Sequence, residues 1–539
     1  MIFSTKHLRG RWPGSSFLRC AQHIFLHRAF WNKSQQISFG NLNFRFRRIL
    51  MGQNTKQKRE IKKPSLAQSV IVLLSLVFFV SIGYGVFKLE LQVMLLCTAA
   101  FTAFMAMYLG MDWQTIEGAI SQRIVKVMPA VYIMFTVGAL ISTFIYSGTI
   151  PMLIYYGLQI ISPQFLIPCS FFICAILATA TGTGWGSAGT AGVALIGIAM
   201  GLEIPLAPVA AAIVAGSTFG DKLSPLSDTT IMAALSAGTD LYAHVRSMLW
   251  TTIPAAIVTV IAYTVYGLRF GGDFVMPENV SSMLSTLDQI YDWNILLLIP
   301  FVIILMGSLM KKPTLPVMYI SIAVAVVLGM IFQGFSLNSG LTAFVSGFKI
   351  TMVPGMDAAT TNENVLTLIQ RGGLTSMSNI ILTIFCAYSF AGIAEEAGFM
   401  EKIIDSLIGK VKTRGATVTA AVCTAIVLTI IGVSGYISLI MTGELFRKPY
   451  LKQRMDLCNL SRTCEDGGTM ICSIVPFSTS GLFYAGALGV PVLSYLPWHF
   501  MAFICPVLAI IYGFTGIGIK MISQEEADAK LKELGFHVE

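Results

Sequence analysis

Charged residues are scarce in this chain, and the scarcity narrows the class of protein at once. Only 12% of the 539 residues are charged, whereas a soluble globular domain carries about 25%. This excludes an ordinary cytosolic protein. Apolar residues make up 55% of the chain, and many runs reach the roughly 20 residues that a helix needs to cross a bilayer. The sequence therefore predicts an all-α polytopic membrane protein surrounded by lipid.

The chain also lacks the motifs of common enzymes and metal sites. Its ten cysteines include no C-x-x-C pair, and its six histidines show no metal-ligand spacing. The Gly184-x-Gly186-x-x-Gly189 pattern matches the dinucleotide fingerprint in letters only, because membrane-span sequence replaces the required βαβ unit around it. We therefore expect no cofactor and no enzyme activity; a membrane enzyme is the alternative from a different class.

Acidic residues are almost missing from the N-terminal tail, which spans residues 1–65. This tail holds 14 Lys or Arg and a single acid, Glu60, whereas the remainder has 22 basic and 26 acidic residues. We interpret the tail as a cytoplasmic flank that fixes orientation, not as a nucleic-acid-binding segment. Residues 1–50 fit no secretory signal. We hypothesise that Met51 is the native start; a transit peptide is the alternative.

The apolar runs predict about nine full spans and several half-helices. The polar patch at 112–126 is expected to be a loop, and the run at 150–161 is too short to span the membrane. Residues 270–292 form the longest predicted internal loop. The resulting division is a first transmembrane repeat at 66–269, the connecting loop at 270–292, a second transmembrane repeat at 293–520 and a C-terminal tail at 521–539.

Two polar clusters interrupt the apolar sequence, GSTFGDKLSPLSDTT at 216–230 and SRTCEDGGTM at 461–470. A constant offset of 251 in residue number, which we call the repeat offset, aligns the surroundings of both clusters. This alignment predicts an internal duplication. The aligned pairs are Gly184 and Gly435, Gly216 and Gly467, Thr218 and Thr469, Pro225 and Pro476, Ser227 and Ser478, and Gly238 and Gly489.

Paired hydrophobic segments broken by Gly or Pro indicate the binding site of a secondary transporter. A broken helix exposes backbone N–H and C=O groups that lipid cannot satisfy, so an ion, a substrate or water must satisfy them. Asp221 and Asp228 are the leading sites for Na⁺ and H⁺, since both ions can compete for a carboxylate in a low-dielectric cavity. Glu465 and Asp466 are further candidates, and the alternative for them is a solvated turn paired with Arg462.

Hydroxyl groups near the breaks complete the set of candidate oxygen ligands, although hydroxyls also cap half-helices without any ligand. Lys222 is a candidate charge partner, and its plain alternative is a pair with Asp221 in a cytoplasmic loop. The hydroxyl candidates are Thr218, Ser224, Ser227, Thr229, Thr469, Ser478 and Thr479.

Four segments resemble the signature sequences of the NhaC family of Na⁺/H⁺ antiporters. They are GDKLSPLSDTT (220–230), LSRTCEDGGTMICSIVPFSTSGLFYAGALGV (460–490), YSGTIPMLIYYG (146–157) and RGGLTSM (371–377). The resemblance implies two inverted-topology repeats, each with a re-entrant hairpin and a broken transmembrane helix. It also implies exchange of Na⁺ or Li⁺ for H⁺ by alternating access across the bacterial inner membrane, with a homodimer as a further expectation.

The same resemblance leaves a second activity open, because relatives exchange organic acids. The alternative is therefore a Na⁺- or H⁺-coupled exchanger of the malate/lactate type, or an amino acid exchanger. Under this alternative Lys222 and Arg462 could bind a substrate carboxylate. One departure from equal halves is clear in the sequence: Asp228 has no acidic counterpart at the repeat offset, so the two halves are not expected to provide equivalent sites.

Overall fold

The computed structural model describes residues 62–87, 89–271, 278–359, 361–408 and 412–534. The predictions for residues 1–50, including the start at Met51, lie outside these ranges. Within them the regular backbone is helical, apart from one isolated antiparallel bridge between Met455 and Met521. This confirms the all-α class.

The described residues up to 271 form ten α-helices and two π-helical stretches. The α-helices are α1 (Leu66–Phe78), α2 (Leu91–Tyr108), α3 (Trp113–Ser147), α4 (Thr149–Ile160), α5 (Pro163–Thr181), α6 (Gly184–Ser187), α7 (Val193–Gly201), α8 (Leu206–Leu223), α9 (Asp228–Ala237) and α10 (Leu241–Gly267). The π-helical stretches are Phe79–Val86 and Ala188–Gly192, and a 3-10 turn spans Leu268–Phe270.

The rest of the described chain adds fifteen α-helices. They are α11 (Glu278–Ile290), α12 (Ile299–Leu309), α13 (Thr314–Phe332), α14 (Leu337–Ser346), α15 (Glu363–Ile369), α16 (Ser378–Glu396), α17 (Phe399–Ile408), α18 (Arg414–Gly432), α19 (Gly435–Lys452), α20 (Leu457–Gly467), α21 (Thr469–Cys472), α22 (Thr479–Leu488), α23 (Val492–Tyr495), α24 (Phe500–Thr515) and α25 (Gln524–Glu533). Short 3-10 turns lie at Ile295–Leu298, Ile350–Met352, Leu374–Met377 and Leu496–Trp498.

The number of long apolar helices fits a membrane protein that crosses the bilayer many times. In the described ranges eight helices are long and apolar enough to span a membrane, and the number rises to ten if each of two bent pairs is one span. The bent pairs are Val280–Ile290 with Ile295–Leu309 (97°) and Thr479–Leu488 with Val492–Trp498 (91°). These numbers bracket the nine spans expected from the sequence.

The loop predicted at 112–126 is wrong. Helix α3 begins at Trp113, where the Asp112 side chain accepts a hydrogen bond from the Thr115 N–H at 2.9 Å and caps the helix. Arg123 lies inside this helix and pairs with Glu395 of α16. A charge that has a partner across the bundle does not force the chain out of the helix, which is why polarity alone misled the prediction.

Two other local predictions have different outcomes. The predicted half-helix at 150–161 is confirmed as α4, whose start is set by the left-handed Gly148 (φ 89°). The predicted loop at 270–292 contains α11, so that part of the chain is not loop throughout.

The helix boundaries obey the repeat offset. Pro163 and Thr181, the ends of α5, correspond to Arg414 and Gly432, the ends of α18. In both halves a residue in the left-handed region follows directly, with φ 68° and φ 58°. A break in the middle of a membrane helix therefore occurs at the same place in each half.

The short helices after the polar clusters obey the same offset. Asp228–Ala237 (α9) corresponds to Thr479–Leu488 (α22), and both end at a left-handed glycine. The starts of α8 and α20, at Leu206 and Leu457, also correspond to each other.

A close contact between a glycine and a backbone carbonyl also occurs at corresponding positions of the two halves. A Cβ atom on Gly216 would lie 2.2 Å from the Phe171 carbonyl oxygen, and one on Gly467 would lie 2.9 Å from the Val422 carbonyl oxygen. The two glycines are related by the repeat offset, and so are the two carbonyls. Thus α8 packs against α5, and α20 packs against α18, at corresponding glycines.

Helices of the first half also pack against helices of the second half. Helix α9 packs against α19, and α22 packs against the α6–α7 segment. The Trp185 ring stacks on Phe483, with centroids 4.5 Å apart and planes 8° apart. The short helix of each half therefore covers the broken helix of the other half, which brings both polar clusters to one place.

Candidate functional site

A cavity of about 1010 Å³ opens where the two broken helices meet the two short helices. Both polar clusters contribute to its wall. The lining includes Thr181–Gly186, Thr218, Asp221, Pro225–Thr229, Ser434–Ile437, Thr469, Cys472, Ser473, Thr479 and Ser480. The two regions singled out by the repeat offset therefore form one site.

Asp221 is the best-coordinated acid on the cavity wall. Its Oδ1 accepts hydrogen bonds from the Gly184 N–H at 3.3 Å and the Ser227 hydroxyl at 2.9 Å. Its Oδ2 accepts one from the Thr229 hydroxyl at 3.2 Å. The carboxylate thus joins the break of the first broken helix to the start of α9.

Asp228 occupies the first position of α9 and faces the cavity with an exposed side chain. A carboxylate is favoured at a helix N-terminus because it complements the helix dipole. Asp228 and Asp221 therefore place two acids on one wall, which we call the acidic face: Asp221, Ser227, Asp228 and Thr229.

Two of the predicted hydroxyl ligands in the first cluster bind backbone carbonyls instead. Thr218 lines the cavity but donates to the Val214 carbonyl at 2.7 Å. Ser224 donates to the Thr179 carbonyl at 2.8 Å and is not part of the cavity lining. Ser224 therefore ties α8 to α5 and does not face the site.

Lys222 does not pair with Asp221. It points away from the cavity and forms an ion pair with Asp466, and both side chains are fully buried. Asp466 Oδ1 also accepts a hydrogen bond from Thr251 at 3.1 Å. This correction arises because neighbouring positions on α8 face different sides of the helix, so Lys222 reaches α20 while Asp221 reaches the cavity.

Glu465 lies beside this ion pair and is fully buried. Within the described ranges neither of its carboxylate oxygens has a hydrogen-bond partner, and the same holds for the hydroxyl of nearby Thr469. Neither Glu465 nor Asp466 lines the cavity, whereas Thr469 does. The solvated-turn alternative for the two acids is wrong, because both side chains are buried.

Arg462 is buried, and its guanidinium binds backbone carbonyl groups. Its Nη1 donates to the carbonyl oxygens of Ser247 at 3.2 Å and Gly518 at 2.8 Å. It does not line the cavity. Neither Arg462 nor Lys222 is therefore placed to contact a solute in this cavity.

The segment that follows the second cluster offers hydroxyls without acids on the cavity wall. Ser478 caps α22 by accepting from the Gly481 N–H at 3.0 Å, while Thr479 lines the cavity. At the repeat offset, Cys472 corresponds to Asp221 and Thr479 corresponds to Asp228.

The sequence prediction missed Arg123 and Tyr388, which line the cavity together with Glu395, a weaker candidate from the sequence. Arg123 is buried, and its Nη1 lies 2.5 Å from Glu395 Oε2. Its guanidinium also lies 5.6 Å from the centre of the Tyr388 ring. The sequence did contain a signal for Arg123, because it directly precedes an apolar run. An arginine inside a membrane span is by default a candidate functional residue.

The carbonyls at the two breaks are bound by different side chains. Thr181 and Gly432, the last residues of the helices before the breaks, are related by the repeat offset. The Thr181 carbonyl accepts a hydrogen bond from the Ser308 hydroxyl. The Gly432 carbonyl accepts one from Arg123 Nη2 at 2.9 Å. The carbonyl at one break thus accepts a hydrogen bond from a neutral hydroxyl, and the carbonyl at the other accepts one from a cationic guanidinium.

Comparison with known proteins supports a transporter. The sequence model of the Na⁺/H⁺ antiporter family matches residues 47–246 and 218–517. The chain belongs to the Na⁺/H⁺ antiporter family. It is similar to an uncharacterised Na⁺/H⁺ antiporter of Haemophilus influenzae, with 41% identity over 473 residues, which cover 87% of this chain and 100% of that protein.

Two further relatives of this chain have names that state different substrates. The malate-2H⁺/Na⁺-lactate antiporter of Bacillus subtilis is 36% identical over 85% of this chain and 96% of its own length. The Na⁺/H⁺ antiporter NhaC of Alkalihalophilus pseudofirmus is 32% identical over 85% of this chain and 97% of its own length. The resemblance to the NhaC family is confirmed.

Proposed function

We propose that this protein exchanges Na⁺ or Li⁺ for H⁺ by alternating access across the bacterial inner membrane. The carrying observation is the acidic face, where Asp221 bridges a helix break and the start of α9 inside the central cavity. Membership in the antiporter family and the NhaC relative support the same activity.

The hydroxyls around Asp221 suit a site that alternates between a proton and a cation. Ser227 and Thr229 now donate to the carboxylate, and their oxygens lie 2.9 Å from each other. A hydroxyl can rotate and offer its lone pairs instead of its proton. The same side chains therefore stabilise the empty carboxylate and, after rotation, complete the oxygen shell of Na⁺.

Na⁺ and H⁺ would then be mutually exclusive at Asp221, which is the minimum requirement for exchange. A proton on the carboxyl removes the charge that holds Na⁺, and a bound Na⁺ disfavours protonation. Asp228 adds a second negative charge on the same cavity wall and raises the local concentration of cations.

The repeated helix boundaries support alternating access. We propose that the two halves are inverted-topology repeats whose broken helices form the moving centre of the transporter. The matched breaks after Thr181 and Gly432 and the matched short helices α9 and α22 supply the two-part centre that such a mechanism needs.

The test uses the full chain in proteoliposomes that contain a pH-sensitive dye. A Na⁺ or Li⁺ gradient alone, with no organic solute, should move protons in the opposite direction, while a K⁺ gradient should not. The exposed Glu396 on α16 provides a control, since Glu396→Gln should leave this response unchanged. A response that requires malate, lactate or an amino acid would overturn the proposal.

A further inference from the structure

A second group of buried polar side chains lies behind the acidic face, near the turn between α20 and α21. We propose that Glu465 in this group is a second proton-binding site of the exchanger, separate from Asp221, and that its proton passes to and from the cavity beside Thr469. The proposal rests on the proposed function, because the second proton is counted per Na⁺ exchanged. Each cycle would then move two protons against one Na⁺ and so carry net charge.

Glu465 is buried without any group that would stabilise its negative charge through a hydrogen bond. The residue is 0% exposed, and within the described ranges neither carboxyl oxygen has a hydrogen-bond partner. An ionised carboxylate is very costly in such a place, and a buried group of this kind becomes neutral instead. The Glu465 carboxyl group therefore holds a proton that it can later release.

The neighbouring cations are already engaged with other groups. Lys222 forms its ion pair with Asp466, and Arg462 donates to two backbone carbonyl oxygens. The Lys222–Asp466 pair is neutral as a unit. The group of Lys222, Glu465 and Asp466 is therefore neutral only while Glu465 holds a proton.

The titratable and charged groups around Glu465 and its neighbouring ion pair come from several helices. They are Asp221 and Lys222 on α8, Asp228 on α9, His244 on α10, Tyr436 on α19, Arg462, Cys464 and Asp466 on α20, and Cys505 on α24. Of these groups, Asp221 is the one whose charge changes when Na⁺ binds at the acidic face. The coupling between Na⁺ and a proton on Glu465 therefore runs through Asp221.

Asp221 couples the two sites through charge. Its carboxylate and Glu465 interact electrostatically, and two negative charges disfavour each other. Na⁺ bound at Asp221 cancels this repulsion, so Glu465 releases its proton more readily. In return, a proton on Glu465 removes a negative charge that attracts Na⁺. Na⁺ at one site and a proton at the other thus oppose each other, as exchange in opposite directions requires.

Thr469 connects Glu465 to the cavity. It follows the glycine pair that ends α20, begins α21 and lines the cavity. Its side chain lies beside the Glu465 carboxyl group, although the two groups form no hydrogen bond. A hydroxyl accepts one proton while it donates another. Thr469 is therefore placed to pass a proton between Glu465 and water in the cavity.

The first half shows what Thr469 would do in an ordinary helix. Val214 corresponds to Glu465 at the repeat offset, and Thr218 corresponds to Thr469. Thr218 donates to the Val214 carbonyl at 2.7 Å, whereas the Thr469 hydroxyl makes no such bond in the described part of the chain. The break in the helix after α20 thus leaves a hydroxyl available beside the one acid of the pair.

The experiment uses the full chain in proteoliposomes with a pH-sensitive dye, and a K⁺ gradient with valinomycin sets the membrane potential. With two protons exchanged for one Na⁺, one net charge crosses per cycle. A potential of about 59 mV should then shift the Na⁺ gradient that stops proton movement by a factor of about ten. Glu465→Gln keeps only the proton site at Asp221, so this variant should show no shift with the potential.

Two threonine variants test the path to the cavity. Thr469→Val should slow proton movement about tenfold and keep the shift with potential, because it removes the hydroxyl but not Glu465. Thr259→Val is the matched control. Thr259 is also buried with an unpartnered hydroxyl within the described ranges, but it does not line the cavity. It should leave both the rate and the shift unchanged, and equal slowing in the two variants would overturn the path.

The failures of the two proposals can be told apart. Wild-type exchange that ignores the potential, or a Glu465→Gln variant that keeps the wild-type shift, overturns the second proton site and leaves Na⁺/H⁺ exchange standing. Absence of any Na⁺-driven proton movement in the wild type overturns the proposed function itself.

A further comparison applies if Glu465→Gln is inactive or cannot be purified as a folded protein. A shift with potential in the wild type, together with slower proton movement in Thr469→Val but not in Thr259→Val, then supports the second proton site. The lack of either result overturns it.

Discussion

The two halves contribute corresponding parts of the backbone to the cavity wall but different side chains. Both combine a broken helix with the start of a short helix, at positions related by the repeat offset. Where one has Asp221 and Asp228, the other has Cys472 and Thr479. The difference shows that corresponding backbone positions carry different chemistry in the two halves, with acids at Asp221 and Asp228 and uncharged residues at Cys472 and Thr479.

The largest expected effect comes from removing the central acid. Asp221→Asn should abolish Na⁺-driven proton movement, because an amide neither exchanges a proton in this range nor neutralises Na⁺. Cys472→Ser, at the corresponding position, should retain most of the wild-type rate. The pH-dye assay in proteoliposomes measures proton movement in both variants. Equal losses would contradict the functional difference between positions 221 and 472.

The next effect concerns the ion pair behind the acidic face. Lys222→Met leaves the buried Asp466 without its partner, and removal of one member of a buried pair costs about 3–5 kcal/mol. We expect a lower melting temperature in detergent. The double variant Lys222→Met/Asp466→Leu should recover part of the loss, since it removes both members of the ion pair. A single variant as stable as the wild type would contradict the pair's structural role.

A smaller effect tests the matched helix packing of the halves. Gly216→Ala and Gly467→Ala should both reduce stability by about 1–3 kcal/mol, the usual cost of overpacking. The loss at Gly216 should be the larger, because its neighbouring carbonyl is closer, 2.2 Å against 2.9 Å.

Gly118→Ala on α3 is the matched control for this pair, since a Cβ there meets no atom within 4 Å. It should leave the melting temperature unchanged or raise it slightly. A loss of the same size in Gly118→Ala would mean that close packing does not explain the other two variants.

Asp228 should affect cation affinity more than coupling. It faces the cavity with an exposed side chain, beside but not within the hydrogen bonds of Asp221. Asp228→Asn should raise the Na⁺ concentration for half-maximal exchange about tenfold, the effect of losing a nearby charge in a polar cavity. Complete loss of exchange in this variant would instead place Asp228 at the centre of the site.

The smallest effect concerns the residues that precede α8 and α20. Asp456 precedes α20 outside the spanning segments, and its counterpart before α8 is Pro205, which has no side-chain cap. Burial opposes ionisation of Asp456. The Cys458 N–H and Lys520 bind the carboxylate and outweigh burial, so the pKa of Asp456 is lowered below its usual value.

The sign of the pH effect follows from this lowered pKa. The cap stabilises the fold at neutral pH, and the stabilisation is lost as the pH falls through the folded-state pKa. The stability difference between the wild type and Asp456→Asn should therefore shrink in acid, as measured by thermal melting from neutral pH downward. A difference that stays constant with pH would contradict the cap.

Part of the candidate site could be predicted from the sequence. Asp221, Asp228, Ser227 and Thr229 were identified because an acidic, hydroxyl-rich cluster within apolar sequence is expensive without a function. Ser224 and Ser478 were included for the same reason, but the structure gives them helix contacts and caps. Residue type and position along the chain do not distinguish a hydroxyl that faces a cavity from one that satisfies a nearby backbone group.

The sequence by itself determined most of the spans and both helix breaks, since apolar length, glycine and proline act locally on the backbone. Tertiary structure alone decided the partner of each charge. Lys222 meets Asp466 across 244 residues, and Arg123 meets Glu395 across 272 residues. Such pairs depend on which helix faces come together in the folded bundle, and no local pattern in the chain encodes that.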